Sequence, residues 1–506
     1  MASACSRTWV VACAVVRASA CSVLFLFASG LHAEISQEEI LRRLERLERA
    51  QQENLEKLRE RDQRIEQLEQ QLRQYRRDDL SEQVVRPGAA PAEQAAPARA
   101  AVAQQPERFG HITPGRGALL ARTDLGTVSF SPYTYLRYLN QHGLDEHYTD
   151  AFGRTKNVNI REDLQLQKVM LRFMGWAFDP NLTYYLYAWT SNTSMGDGAQ
   201  VVVGGNLTYK FSDAFSLTGG IGALPSTRSL ENQWPNFLKV DNRTIADEYF
   251  RGSYTTGITA AGTLAEGLQY RAMLGNNLSQ LGVSASQLDD RFDTFAGAIW
   301  WMPTTGEYGP NQGFGDFEQH DRLATRVGLH YSHSTEDEQS QPDAEDPENT
   351  QLKLSDGTSL FDIDAFGPGI WIREARYQMT SLDAGFKYRG FALEGEYYWR
   401  WIDRFRAIGE PPVDDLFDHG FQLQASMMVL PKRWQLYLSG SKIFGEYGDP
   451  YDVALGTNWF PKRGVRQVRL NAELLYLYRS PVGYTAVPFA VGGKGTVFNT
   501  NLEFTF

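Results

Sequence analysis

The chain has 506 residues, of which 42% are hydrophobic, with a formal net charge of −11 and a mean hydropathy of −0.41. That acidic balance argues against a basic nucleic-acid binder. All three cysteines (Cys5, Cys13 and Cys21) fall at the extreme start, so no disulfide framework and no cysteine-based metal site is available downstream.

Residues 1–33 read as a secretory leader. Arg7 and Arg17 supply the positive start, Ser22 to Ala28 the apolar core, and Leu31-His32-Ala33 a small-residue cleavage site before Glu34. No later segment has the ~18 consecutive apolar residues of a membrane-spanning helix.

Residues 34–78 are a different kind of sequence, rich in Glu, Gln, Arg and Leu and without Gly or Pro. A heptad register fits them. Leu44, Gln51, Leu58, Ile65 and Leu72 take one core position, and Ile40, Leu47, Asn54, Arg61, Leu68 and Tyr75 the other. An α-helical coiled coil with an apolar core of Ile40, Leu44, Leu47, Leu58, Ile65, Leu68 and Leu72 is expected, its alternative being a single solvated charged helix. At ~1.5 Å per residue it would reach roughly 50 Å. Residues 79–120 follow as a linker whose Ala/Pro/Gln stretch, Val84 to Pro106, has too little apolar bulk to form a core.

From 121 to 506 the character changes again. Short alternating segments rich in Tyr, Phe, Trp, Val and Leu recur between Gly/Pro/Asp/Asn turns. They begin near Gly126, Leu164, Leu182, Val201, Phe215, Tyr254, Leu268, Phe292, Leu323, Ile372, Phe391, Gly420, Trp434, Tyr451, Val465 and Thr496. The pattern predicts an all-β transmembrane barrel of about 16 antiparallel strands, with lipid on one face of each strand and a polar lumen on the other. Some connections are tight, such as Arg389-Gly390 and Pro431-Lys432-Arg433. Others are long: Asn140 to Arg161, Pro225 to Gly252, Ser334 to Gly369 and Ser480 to Lys494. Tight and long connections alternate as a meander requires, except that Pro303 to Asp321 is long where a short turn is expected.

Parity assigns the faces, because a cation facing hydrocarbon costs about 2–4 kcal/mol at mid-bilayer. Val169, Leu171 and Phe173 then face lipid, while Lys168 and Arg172 face the pore. The same test turns Arg137, Arg271, Arg326, His330, Arg400 and Arg469 inward, with Glu394, Glu396, Tyr398, Gln422, Gln424 and Ser426. The strand from Ile372 mixes parities: Arg376, Gln378 and Thr380 oppose Asp383 and Lys387, which suggests a bulge near Thr380. Tyr133, Trp176, Trp300, Trp301, Trp399, Trp401, Trp434 and Trp459 lie near segment ends, as interfacial aromatics do, although aromatics favour strands anyway.

The stretch from Gly219, GGIGALPSTRSLENQWPNFLKVDNRTIADEYFRGSYTTGITAAGTLAEGLQYRAMLGNN, resembles a segment of the phosphate-selective porins of the O/P family. The residues that carry the likeness are Pro225, Arg228, Asp247, Phe250, Gly257, Ile258, Tyr270 and Asn276; LQLQKVMLRFMGWAFDPNLTYYLYAWT and YDVALGTNWF are similar to that family too. The resemblance implies a homotrimeric outer-membrane porin whose third external loop, near 225–252, folds into the pore and presents cations to anions. The loop cations here are Arg228, Lys239, Arg243 and Arg251, interspersed with Glu231, Asp241, Asp247 and Glu248. A dense arginine ladder has no counterpart in this sequence. The expected function is passage of small hydrophilic solutes or ions, anion- or phosphate-preferring or unselective. The alternative is an envelope tether, in which the coiled coil reaches through the periplasm to peptidoglycan or another layer.

No catalytic constellation stands out. His330 and His333 with Glu336 and Asp337 could be drawn as a metal site, but no second set of ligands stands at useful spacing; His142, Asp145 and His147 share one loop, and hydrophilic loops collect such residues by chance. No enzyme activity, metal, cofactor or nucleic-acid partner is expected; outer-membrane lipid and further copies of the chain are.

Overall fold

The computed structural model describes residues 112–113, 117–191, 200–231, 234–279, 291–338, 351–483 and 487–505. The expected leader and coiled coil, including its core from Ile40 to Leu72, lie outside the described residues.

The described chain forms a barrel wall of sixteen antiparallel strands. They are β1 (Gly126–Leu144), β2 (Glu162–Ala177), β3 (Asp179–Ser191), β4 (Gln200–Lys210) and β5 (Ser216–Ala223). Next come β6 (Tyr254–Ala265), β7 (Leu268–Gly275), β8 (Thr294–Trp301), β9 (Ala324–Asp337) and β10 (Trp371–Tyr388). The last are β11 (Phe391–Ile408), β12 (Asp415–Leu430), β13 (Trp434–Phe444), β14 (Tyr451–Trp459), β15 (Val468–Tyr478) and β16 (Gly495–Thr505). Each pairs with its sequence neighbours, and β16 closes on β1 through registers such as Leu502 opposite Leu136 and Thr505 opposite Tyr133. Closure satisfies every strand edge from within, the condition for a sheet to cross a bilayer. β1 extends beyond β16 at the turn end, and the short strand Gly117–Thr123 pairs with that extension, Ala118 opposite Phe130. The sheet therefore begins before residue 121. Gly117 makes this possible: its φ is +75°, and a Cβ there would meet the Phe130 carbonyl oxygen at 2.1 Å.

Alternation drives the wall. In β12, Phe421, Leu423 and Met427 are exposed, whereas Gln422, Ser426 and Met428 are buried. In β11, Glu394, Glu396, Tyr398 and Arg400 are buried on the inner face. The outside is an apolar band; Leu423, Leu455 and Leu474 keep 49%, 60% and 53% of their surface open for lipid. Most turns at one end are tight. Phe178 alone joins β2 to β3, and Arg389 and Gly390, with φ of 48° and 88°, close the β10–β11 hairpin in a mirror-image turn that matches strand twist.

Three expectations need correction. The parity break in β10 is not at Thr380: the register shifts lie between Ile372 and Glu374 and between Glu374 and Arg376. Asp383 and Lys387 then point inward, and Arg376, Gln378 and Thr380 point outward, where the charge of Arg376 is matched by Asp403. Second, Tyr133 and Trp300 are not at a lipid interface. Both are buried inside; the Tyr133 hydroxyl donates to Glu503 at 2.9 Å, and the Arg326 guanidinium lies 5.4 Å from the Trp300 ring.

Third, the inner face is not uniformly wet. Toward the loop end, inward Tyr377, Tyr398, Ile402, Ile443 and Leu477 join Phe250, Leu354, Phe361 and Phe489 from the loops in one apolar cluster. Long loops folded inward replace water as the neighbour of those positions.

Candidate pore constriction

The third long loop, 224–253, enters the barrel between β5 and β6. It holds a single turn at Arg228–Leu230 and a short helix, α1 (Ile245–Phe250), whose first turn is capped by Thr244, with the Asp247 amide donating to the Thr244 hydroxyl. Nearly all its side chains are buried, including charged ones. Burying charge is unfavourable unless it is paired, so the loop survives inside only because the wall supplies partners.

Those partners come from strands distant in sequence. The Arg228 guanidinium donates to Glu394 at 3.0 Å, and its backbone amide to Glu396 at 3.0 Å. Glu231 accepts from Arg326 at 2.5 Å, and Arg326 also donates to Asp383 at 2.8 Å. Asp241 sits 2.5 Å from Lys168 and accepts from the Tyr135 hydroxyl at 3.1 Å and the Trp234 indole at 2.9 Å. Burial alone would raise the Asp241 carboxyl; Lys168 and Arg243 overcome that and hold it below the usual carboxylate range. Loop carbonyls are used as well. Arg469 donates to the Phe237 carbonyl at 2.6 Å, Arg137 to Val240 at 2.8 Å and Asn458 to Leu238 at 2.9 Å. Lys239 lies 3.5 Å from Glu473. The first amides of α1 donate to Asp452 and Ser441, and the Tyr249 hydroxyl to Asp418, which Arg400 also binds at 2.5 Å.

The expected cations are therefore all inside, but most are neutralised. Arg228, Lys239, Lys168, Arg326 and Arg400 bridge loop and wall or stitch the wall itself. Arg243 and Arg251 lean on Asp247 and Glu248 and keep some exposure. Arg137 and Arg172 hydrogen-bond neutral groups: Asn501 and Val240 for the first, Ser131 and Thr505 for the second. Arg271 differs. It is part-exposed on the inner face of β7, its Nε has no hydrogen bond, and among the described residues no carboxylate pairs with it. Of the wall carboxylates opposite these cations, parity turned Glu394 and Glu396 inward; which cation each one meets is a long-range fact that parity does not carry.

Glu231, His330 and Asp383 lie within 4.8 Å of one another and could be drawn as a metal site. Arg326 already holds both carboxylates, so the cluster is a charge network closed by a guanidinium. The other groupings disperse. His330 and Glu336 point inward while His333 and Asp337 alternate to the other face. His142 pairs with Glu162, Asp145 with Lys494 and His147 with Asn157.

The loop covers only part of the wall. Inward positions from β9 round to β2 are buried almost throughout, as at Asp383, Glu396, Ser439, Asn458 and Asn471. On β4, β5 and the turn-side halves of β6 and β7, inward Asn206, Thr208, Thr218, Thr259 and Arg271 remain part-exposed. Gly222 lies on that side, where a Cβ would stand in ordinary contact with Met273 at 3.8 Å and Thr259 at 3.9 Å.

No family model and no curated protein matches the sequence. Solved porin structures resemble the barrel. The anion-selective porin from Comamonas acidovorans superposes over 75% of this chain and 99% of its own, with 11% identity and a TM-score of 0.46. Outer-membrane OmpT of Vibrio cholerae gives 76%, 99%, 11% and 0.47. The outer membrane channel DcaP of Acinetobacter baumannii gives 76%, 99%, 8% and 0.45. Likenesses of this size do not bear on what the barrel passes.

Proposed function

We propose that this protein is an outer-membrane porin in which small hydrophilic solutes cross through an off-centre passage between the infolded loop 224–253 and the wall of β4–β7. The carrying observation is the contrast on the inner face: a buried, ion-paired side under the loop and a part-exposed side of threonine, asparagine and glycine. A hydroxyl- and amide-lined wall replaces some of a solute's water, and selectivity follows from charge at the narrow part, not from the total. The total is negative, but along this wall Arg271 has no carboxylate paired with it among the described residues, and Arg243 and Arg251, paired with Asp247 and Glu248, lie near Tyr254 on β6. A weak preference for anions follows, phosphate included. The O/P-porin resemblance supports the same reading and adds a homotrimer.

In planar bilayers the purified protein is expected to conduct in steps grouped in threes, with a reversal potential in a salt gradient of the sign for anions. Arg271→Glu is expected to move that potential toward cations, and Lys239→Ala to leave it in place, since Lys239 is buried against Glu473. A barrel that inserts but never conducts would refute the porin reading.

A further inference from the structure

The connection from β8 to β9, residues 302–323, has no business being long in an up-and-down meander: its counterparts at the same end are as short as Phe178 alone, 266–267 and 389–390. It does not hang outside. Gly313, Phe314, Gly315, Asp316 and Phe317 are all buried. We propose that this segment is a second constriction element, reaching into the lumen from the turn end, where it sets the size and charge of what leaves the passage; this rests on the porin reading above.

The segment meets the infolded loop directly. The Phe314 amide donates to the Asn236 carbonyl at 2.9 Å, and the rings of Phe314 and Phe237 stand 5.9 Å apart. Arg228 ties the two together: while it holds Glu394, it donates to the Gln312 carbonyl at 2.5 Å and lies 4.6 Å from the Phe314 ring. The wall grips the segment too. Lys387 donates to the carbonyls of Tyr308, at 2.9 Å, and Gly313. Gly315, at φ +76°, passes so close to β12 and β13 that a Cβ would meet Gln435 at 2.6 Å and Ser426 at 3.1 Å. The base is anchored at two hairpin turns: Asp316 accepts from the Gly390 amide at 2.7 Å, and Lys432 lies 2.9 Å from Glu318.

One residue of the segment reaches the open side. The Gln312 side chain donates to Gln269 on β7 at 2.9 Å and accepts from Arg326 at 2.8 Å. Gln269 and Arg271 are two apart on one strand and so share its inner face. Gln312 thus borders the same stretch of passage as the unpaired guanidinium, from the opposite end of the barrel to the loop. A solute that clears the loop next passes the pair of Arg271 and Gln312. Gln312 is accordingly a specificity-determining position, and the rest of the segment holds it there.

The test uses the full-length protein in planar bilayers. Replacing 303–322 by an Asn-Gly turn is expected to raise single-channel conductance about two-fold or more and to admit larger neutral sugars in liposome swelling. Gln312→Glu, which keeps an acceptor for Arg326, is expected to shift the reversal potential toward cations without changing the fold. A folded turn variant with wild-type conductance and cut-off, or a Gln312→Glu barrel with unshifted potential, overturns the proposal. If the turn variant does not fold, the point variant decides alone. Wild-type protein that never conducts removes the porin reading and this one together; a conducting wild type with unaltered variants removes only this one.

Discussion

Arg228 concentrates the logic of this interior in one side chain. It meets a wall carboxylate, a carbonyl of the inner segment and an aromatic ring while almost fully buried. Removing one member of such a buried pair leaves its partner charged and stranded, at a cost of about 3–5 kcal/mol. Arg228→Ala is therefore expected to lower the barrel's stability by that amount in urea unfolding from liposomes, and to make the open-channel current noisier as loop and segment lose their common tie. A double change with Glu394→Gln should cost less than the two single changes added, because the stranded charge is gone. His320 governs the inner segment differently. Its hydrogen bond to Asp316 raises its pKa above the ordinary 6.5; burial opposes this, and the charges of Asp316 and Glu307 add to it. The protonated form is the one that binds, so its stabilising effect is complete below 6.5 and fades as pH rises through the raised value. Asp316 behaves oppositely: His320 and the Gly390 amide outweigh its burial and hold it below 3.8, so its effect fades only in strong acid. Protection of the 303–322 amides, taken relative to their intrinsic base-catalysed exchange, is expected to fall on the alkaline side, and His320→Gln to abolish that fall; protection independent of pH in the wild type would count against it.

At the level of elements, strands and buried contacts were legible to different degrees. β11 and β12 could be read from sequence alone, because a strand with lipid on one side must alternate every second residue, and one misplaced charge on the outside is costly. The hairpin at Arg389 and Gly390 was equally plain, since few residues adopt its backbone. The infolded loop was placed through its resemblance and its cations, but their destinations were not legible. Arg326 and Asp383 are 57 residues apart, and Arg228 and Glu394 are 166 apart. Nothing local in either segment says which will meet. The 302–323 segment was visible only as an anomaly of length, because its short aromatic and glycine runs satisfy no strand or helix period. The mixed parities of β10 have a related cause: charges stand on both faces of one strand, because Asp403 on the neighbouring strand pairs with Arg376 on the outside while Asp383 and Lys387 face inward.

At the largest scale the described residues form a closed wall with an apolar outside, and that predicts where damage is tolerated. Leu455 is 60% open on the outer face and pairs with Leu438 across β13 and β14. Leu455→Arg is expected to cost about 2–4 kcal/mol if it lies near mid-bilayer, measured as reduced folding into liposomes. Leu120→Arg on the short strand that covers the exposed end of β1 should be milder, since that position lies at the turn end of the wall. Inside, the loop and the inner segment cover the wall from β9 round to β2, and the turn-side inner face of β4–β7 is left with hydroxyls, Asn206 and Arg271. Electrically, the proposed passage is a resistor spread along the barrel, narrowed by loop 224–253 from one end and by 302–323 from the other. An applied voltage would then fall along that whole stretch, and a charge engineered beside Arg271 would feel a large part of the membrane potential while the same charge at either rim would feel almost none.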